Sequence, residues 1–243
     1  DTWMVNIVTR SDNPELMARL AGELTELYPH IVSVVNNITS KRASISVGEK
    51  EKVVSGQSFI TDRLGPYSFK ISANSFFQTN THGAETLYRT VERYAGLSGR
   101  ETVLDLYSGT GTIPIWLSSS AKHVTGIEIV ESAVADARKN CADNGIDNCR
   151  FIQGDIKDTL PTLDQKPDVM IIDPPRSGMH KDVVASVLDL HPERLVYVSC
   201  NPTTLARDAA MLKERYRVVE VQPVDMFPHT YHIESVARLE RNS

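Results

Sequence analysis

A cysteine stands where a short apolar strand meets the start of a helix, in the run Tyr197-Val198-Ser199-Cys200-Asn201-Pro202. Asn201 is a good N-cap and Pro202 suits the first helical position. The thiol therefore sits just before a helix N-terminus. There the dipole and free N–H groups favour thiolate, the form that acts as a nucleophile. Most free cysteines are small buried hydrophobes. The strand-to-helix position tips Cys200 towards chemistry.

The other chemically capable residues are acids at the ends of apolar runs. Val103-Leu104-Asp105-Leu106-Tyr107-Ser108-Gly109-Thr110-Gly111 carries a carboxylate before a glycine turn. The third glycine of a dinucleotide fingerprint is missing, because position 114 is Pro. A carboxylate before that turn suits an amino-bearing or cationic ligand better than a pyrophosphate. Glu128 follows Gly109 by 19 positions, where an acid can accept both ribose hydroxyls. Asp155 ends the next run, where an adenine amino group can be read. Together these residues fit a nucleoside with no phosphates, an α-amino group and a sulfonium: S-adenosylmethionine. N-caps and surface loops are the plainer reading for any one acid, but three at successive strand ends favour a ligand.

Two more motifs complete the set. Ile172-Asp173-Pro174-Pro175-Arg176 gives a rigid loop at a strand end. Methyltransferases acting on exocyclic amines carry an aromatic after the prolines; here Arg176 stands there and argues against amine methylation. His232-Ile233-Glu234-Ser235-Val236 reads as a strand with His232 and Glu234 on one face. Its apolar neighbours make Glu234 a candidate general base with a raised pKa. His229 and His232 read as structural. No spacing fits a metal site.

These residues need a scaffold, and the chain supplies one. After about residue 72, strands and helices alternate through Thr102–Leu106, His123–Ile127, Ser132–Asn144, Val169–Ile172, Leu195–Val198 and Thr203–Lys213. That pattern predicts an α/β doubly wound, mostly parallel sheet. Residues 73–243 form the expected catalytic domain. Residues 1–72 read as a smaller α+β domain, with strands at Trp3–Val8, Ile31–Ile38 and Ala43–Val47 and a helix at Pro14–Tyr28.

Composition bounds the rest. The 243 residues suffice for one large or two modest domains, and the hydrophobic content of 41% is ordinary for a globular protein. No apolar run is long enough to span a membrane. Three cysteines, Cys141, Cys149 and Cys200, point to a reducing compartment and are too few for a four-thiolate iron–sulfur site. A cytoplasmic monomer is expected. The chain opens at Asp1 directly on a strand-like run, and a fragment without its natural N-terminus is expected. The net charge of −5 gives no global basic field. Lys41, Arg42, Arg176 and Arg207 are scattered candidates for phosphate contact, so weak binding to any nucleic acid is expected of this chain alone.

The combination of Phe76-Phe77-Gln78-Thr79-Asn80, Asp105-Leu106-Tyr107-Ser108-Gly109-Thr110-Gly111, Asp173-Pro174-Pro175-Arg176-Ser177-Gly178, Ser199-Cys200-Asn201-Pro202-Thr203-Thr204-Leu205-Ala206-Arg207-Asp208 and His229-Thr230-Tyr231-His232-Ile233-Glu234 resembles the RNA uracil-5 methyltransferase family. The match runs from about residue 74 to the end. The resemblance implies an S-adenosylmethionine-dependent methyltransferase sheet whose last strand is antiparallel. It implies methylation of uridine C5 in ribosomal RNA or in the tRNA T-loop, with ribosomal RNA the first expectation. By motif, Gln78, Tyr107, Glu128 and Asp173 would contact S-adenosylmethionine, with Asp155 close to the adenine. Cys200 would be the nucleophile and Glu234 the base. Many members open with a small β-barrel RNA-binding domain and some hold an iron–sulfur cluster; neither is visible here. Thr112 stands where some relatives carry Asn, and no ligand contact is assigned to it.

The chemistry of the residues agrees. Uracil C5 is a poor nucleophile until a thiolate adds to C6, and a base must then remove the C5 proton. One thiol and one carboxylate suffice. RNA cytosine-5 methylation is the runner-up, although those enzymes usually place a second cysteine in the loop that here reads Asp173-Pro174-Pro175. A noncatalytic RNA- or cofactor-binding module would lack the nucleophile or base. A nicotinamide-dependent dehydrogenase is disfavoured by Pro114 and leaves Cys200 without a role.

Overall fold

The computed structural model describes residues 2–40, 49–163 and 166–242. The chain forms two compact units, residues 1–63 with 68–77 and residues 64–67 with 78–243. In the first unit, β1 (Trp3–Thr9), α1 (Pro14–Leu27) and β2 (Ile31–Ile38) make a parallel strand–helix–strand crossover. Asn13 caps α1 by accepting the Leu16 N–H, and Pro14 occupies its first turn. β3 (Lys50–Gly56) adds antiparallel to β2, and β4 (Phe59–Leu64) pairs with β5 (Tyr67–Ser72). Ala21, Ile31 and Val34 are the centre of this small core. The strand expected at Ala43–Val47 lies outside the described residues, as do Lys41 and Arg42.

The second unit opens with α2 (Thr81–Ala95), capped by Asn80 and ended by Gly96 in the left-handed conformation. Its buried residues Ala84, Leu87, Tyr88, Val91, Tyr94 and Ala95 recur every three or four positions, the stripe of a helix laid on a core. Then follow β6 (Thr102–Leu106), α3 (Thr112–Leu117), β7 (His123–Glu128), α4 (Glu131–Asp143), β8 (Cys149–Gln153), α5 (Ile156–Thr159), β9 (Val169–Ile172), α6 (Lys181–Leu190), β10 (Arg194–Ser199), α7 (Pro202–Leu212), β11 (Tyr216–Val224) and β12 (Glu234–Arg241). The seven strands lie in the order β11-β12-β10-β9-β6-β7-β8. β8, β7, β6, β9 and β10 run parallel, and β12 inserts antiparallel between β10 and β11. This is the doubly wound sheet that the strand–helix alternation predicts, with the last strand antiparallel.

Both faces of the sheet are covered, which explains why β9 reads Val-Met-Ile-Ile and is buried throughout. On one face Leu104, Leu106, Met170, Ile172, Leu195 and Tyr197 pack with Val183 and Val187 of α6 and Leu205 and Leu212 of α7. Each such side chain contributes about 1.5–3 kcal/mol of burial. Among the described residues no helix is long and apolar enough to cross a membrane.

One boundary departs from the sequence reading. The last strand begins at Glu234, not His232. His229 adopts a left-handed φ of 77°, and the Thr230 hydroxyl donates to the Phe227 carbonyl and accepts the His232 N–H. This turn keeps His232 out of the strand; its ring instead stacks on Tyr231 at 4.1 Å.

Candidate active site at the carboxyl edge of the sheet

The parallel strands β6 to β10 bring their carboxyl ends to one edge of the sheet, and antiparallel β12 begins at that same edge with Glu234. β10 delivers Cys200, one residue past its end, and the ladder to β12 closes on the pair Ser199–Ser235. Glu234 is thus the next residue opposite Cys200. Burial and the Glu234 charge push the Cys200 thiol up; the Arg176 guanidinium, close enough to hydrogen-bond it, pulls it down, and Asp173 adds a smaller upward push. The expectation of an acidified thiol is corrected here. Asn201 does cap α7, accepting the Thr203 N–H, but desolvation and two carboxylates oppose ionisation of the thiol. Burial likewise raises Glu234, opposed by Arg176. That is the direction a general base needs.

Asp173 follows β9 and its N–H donates to the Leu106 carbonyl at 3.4 Å. Burial, reinforced by Glu234, raises its carboxyl to about 7. Asp105 lies inside β6 and is 1% exposed. Both of its carboxylate oxygens are buried without a protein partner. Burial, then Asp173 and Glu128, push it well above the usual carboxylate range. Four acids, Asp105, Glu128, Asp173 and Glu234, thus crowd one strand edge.

Beyond β6 the chain turns sharply. Tyr107 takes a φ of 65°, and burial, with the Asp208 and Asp155 carboxylates, pushes its phenol to about 12. The Glu128 carboxylate accepts the Gly109 N–H at 3.0 Å through one oxygen and the Val130 N–H at 2.8 Å through the other. The two glycines differ in role. A Cβ on Gly111 would meet Phe151 at 2.7 Å, so this glycine lets α3 pack; a Cβ on Gly109 would meet open space. Tyr107, Glu128 and Asp155 line a cavity of about 800 Å³ with Pro175, Met179 and Val183. Asp155 also caps α5 through the Lys157 N–H and pairs with the Lys157 ammonium at 3.4 Å, so its N-cap reading holds alongside its place at the cavity. Gln78 lies half-buried in the loop leading to α2.

The residues fit a cationic nucleoside. The edge holds more carboxylate than it can neutralise, and Asp105 has two buried acceptor atoms unused. A ligand bearing an ammonium and a sulfonium relieves that charge, whereas a diphosphate adds to it. The sequence puts the Asp105 carboxylate before the glycine turn, among the acids that suit a cationic ligand; only burial reveals its unpaired oxygens. The sequence offers Arg176 as a bar to amine methylation and as a phosphate contact; its approach to Cys200 depends on how the loop after β9 folds. Arg207 was a candidate phosphate contact, but its guanidinium is tied to Asp208 and to the Ser177 carbonyl.

Comparison with known proteins agrees with the fold. The methyltransferase-domain model matches residues 97–222. An uncharacterized RNA methyltransferase of Chlorobaculum tepidum is 47% identical, matching 98% of this chain and 51% of its own length. Another from Halalkalibacterium halodurans is 43% identical over 98% of this chain and 53% of its own. The chain thus spans about half the length of these curated relatives. Among solved structures, the Pyrococcus abyssi tRNA (uracil-54, C5)-methyltransferase in complex with S-adenosyl-L-homocysteine superposes with a TM-score of 0.79. It is 35% identical and is covered over 56% of its length by 98% of this chain. The M. jannaschii tRNA m1G37 methyltransferase shares the fold alone, at 14% identity, a TM-score of 0.63, and coverage of 100% of this chain and 72% of that one. The sheet is that of the S-adenosylmethionine-dependent methyltransferases, and the chain belongs to the methyltransferase-domain family.

Proposed function

We propose that this chain methylates C5 of a uridine in RNA, using S-adenosylmethionine. The observation that carries the reading is the Cys200 thiol with Glu234 opposite it and Arg176 beside it. When bound, S-adenosylmethionine supplies an electrophilic methyl group. Glu128, Tyr107, Asp173 and Gln78 hold it, with Asp155 towards the adenine. The Cys200 thiolate adds to uracil C6, so that C5 becomes an enolate carbon able to accept the methyl group. Glu234 then takes the C5 proton, and elimination returns the thiolate. Arg176 stabilises the thiolate at the start and end of the cycle. The target base leaves its stack to reach the edge.

Cytosine-5 methylation remains the alternative by chemistry. The loop Asp173-Pro174-Pro175 has no second cysteine, which favours uridine. Ribosomal RNA was the first expectation; the Pyrococcus enzyme's name points to tRNA. Labelled S-adenosylmethionine, incubated with the protein and total RNA from a strain lacking it, separates these readings. Label at C5 of a mapped uridine supports the proposal and identifies the RNA class. Label on cytidine or on an exocyclic amine overturns it.

A further inference from the structure

The loop after β9 is fastened to α7 from two directions. The Arg176 carbonyl accepts the Asn201 side-chain N–H at 3.2 Å and the Thr204 hydroxyl at 3.4 Å. Further along, Arg207 Nη2 donates to the Ser177 carbonyl at 2.8 Å and to the Met179 carbonyl at 3.3 Å. Arg207 Nε donates to Asp208 Oδ1 at 2.8 Å. Asp208 is fully buried; its Oδ2 accepts the Met179 N–H at 2.8 Å and the Tyr197 hydroxyl at 2.5 Å. Gly178 makes the fit possible. Its φ is 76°, and a Cβ there would lie 2.3 Å from Arg207 Nη2 and 2.7 Å from Asp208 Oδ2.

Such a network costs free energy to build. A buried carboxylate is tolerated only when paired and hydrogen-bonded, and this one is satisfied by a guanidinium, a phenol and a backbone N–H. Ser177, Gly178, Met179 and Arg207 also border the cavity that Tyr107, Glu128 and Asp155 line, but no reacting atom is assigned to them. What the network fixes is the segment from Ser177 to Met179, which begins one residue after Arg176.

We propose that Arg207 and Asp208 are a positioning pair that holds the loop so that the Arg176 guanidinium stays on Cys200 Sγ. The inference does not depend on the methyl-transfer reading, because it concerns the thiol itself. The charged groups facing Cys200 are Glu234 from β12, Asp173 from the end of β9 and Arg176 from the loop. Both acids oppose ionisation, so Arg176 is the group favouring thiolate, and its placement controls the reactivity of the sulfur. Arg fits the clamp because its fork serves a carboxylate and two carbonyls at once, which a lysine ammonium on a flexible stem cannot reproduce.

The test is the pH dependence of Cys200 alkylation by iodoacetamide, followed by mass spectrometry of the Cys200 peptide in the intact protein. Arg207→Ala should move the midpoint upward by about one pH unit and slow alkylation at pH 7.5 roughly tenfold, the change in thiolate fraction that one unit gives. Arg176→Ala should do the same. The Arg176→Ala/Arg207→Ala double variant should show no further shift, since Arg207 acts through Arg176. Gly178→Ala, which leaves both clamp residues in place but displaces the loop, gives a second route to the same upward shift should Arg207→Ala fail to fold. An unchanged midpoint in a folded Arg207→Ala or Gly178→Ala protein overturns the proposal, as do additive shifts in the double variant. Absence of methyl transfer in the unaltered protein would count against the proposed function only.

Discussion

Cys200 and Glu234 face one another where the β10–β12 ladder ends. The pairing Ser199–Ser235 sets the register, and Glu234 is felt at the sulfur as an unfavourable charge. A thiolate and a carboxylate are poor neighbours at rest. The arrangement makes chemical sense when a planar base lies between them, with addition at one carbon and proton removal at the next. Arg176, which lowers the pKa of both groups, moderates the repulsion meanwhile.

The first consequence is covalent. RNA carrying 5-fluorouridine cannot release its C5 substituent as a proton, so a Cys200 adduct should accumulate and survive a denaturing gel. Cys200→Ala should abolish the band. Cys141→Ala and Cys149→Ala should keep it, because those thiols lie on α4 and β8, away from the β10–β12 edge. A band persisting in Cys200→Ala would show that another nucleophile does the work.

The second concerns proton removal. Glu234→Gln should still form the adduct and accept the methyl group, then stall as a covalent methylated complex. Turnover should fall by about 10²–10⁴-fold, the usual worth of a general base. His232→Ala should turn over, since His232 precedes the strand and stacks on Tyr231. The opposite pattern would assign the base to His232. Both Cys200 and Glu234 act deprotonated and both are raised, so activity should climb with pH through their titration.

The scaffold was legible because it rests on local rules. Alternating apolar runs and the Asn201 cap predict β6, β7, α4, β9, β10 and α7 within a residue or two, whereas the short α5 carries no such run. The start of β12 was not legible in the same way. His232-Ile233-Glu234 alternates like a strand, but the left-handed His229 and the Thr230 turn override the pattern. The acidity of Cys200 failed for a different reason. A helix N-terminus is visible in sequence, while the opposing charges of Glu234 and Asp173 arrive from strands far along the chain. Asp105 shows the same limit: its place was readable, its empty buried oxygens were not.

Cofactor affinity should test the glycine turn. Glu128 accepts the Gly109 and Val130 N–H groups and faces the cavity, so Glu128→Ala should weaken S-adenosylhomocysteine binding by roughly 1–3 kcal/mol, the cost of unpaired polar partners. Asp155→Ala should cost less, because part of its carboxylate is already engaged by Lys157. Calorimetry decides. Tighter binding of NAD than of S-adenosylhomocysteine would refute the nucleoside assignment.

Stability should depend on pH in an unusual direction. Asp173 titrates near 7 in the folded chain, against about 3.9 unfolded, because burial and Glu234 disfavour its charge. Between those values the folded state holds a proton that the unfolded state has released. Stability from this group is therefore complete below about pH 4 and is lost as pH rises through 7. Asp105 and Glu234 are raised too and act with the same sign. Asp173→Asn removes the titration. Its melting temperature should exceed that of the unaltered protein at pH 8, where partial solvent access holds the gain to roughly 1–2 kcal/mol. The two curves should converge as pH falls towards 5. S-adenosylhomocysteine, which carries the amino group without the sulfonium, should raise the melting temperature of the unaltered protein more at pH 8 than at pH 5, because the acids then carry the charge its ammonium neutralises. A melting temperature that is flat from pH 5 to 8, or a gain from Asp173→Asn larger at pH 5 than at pH 8, would show that the acidic edge is not strained by its own charge.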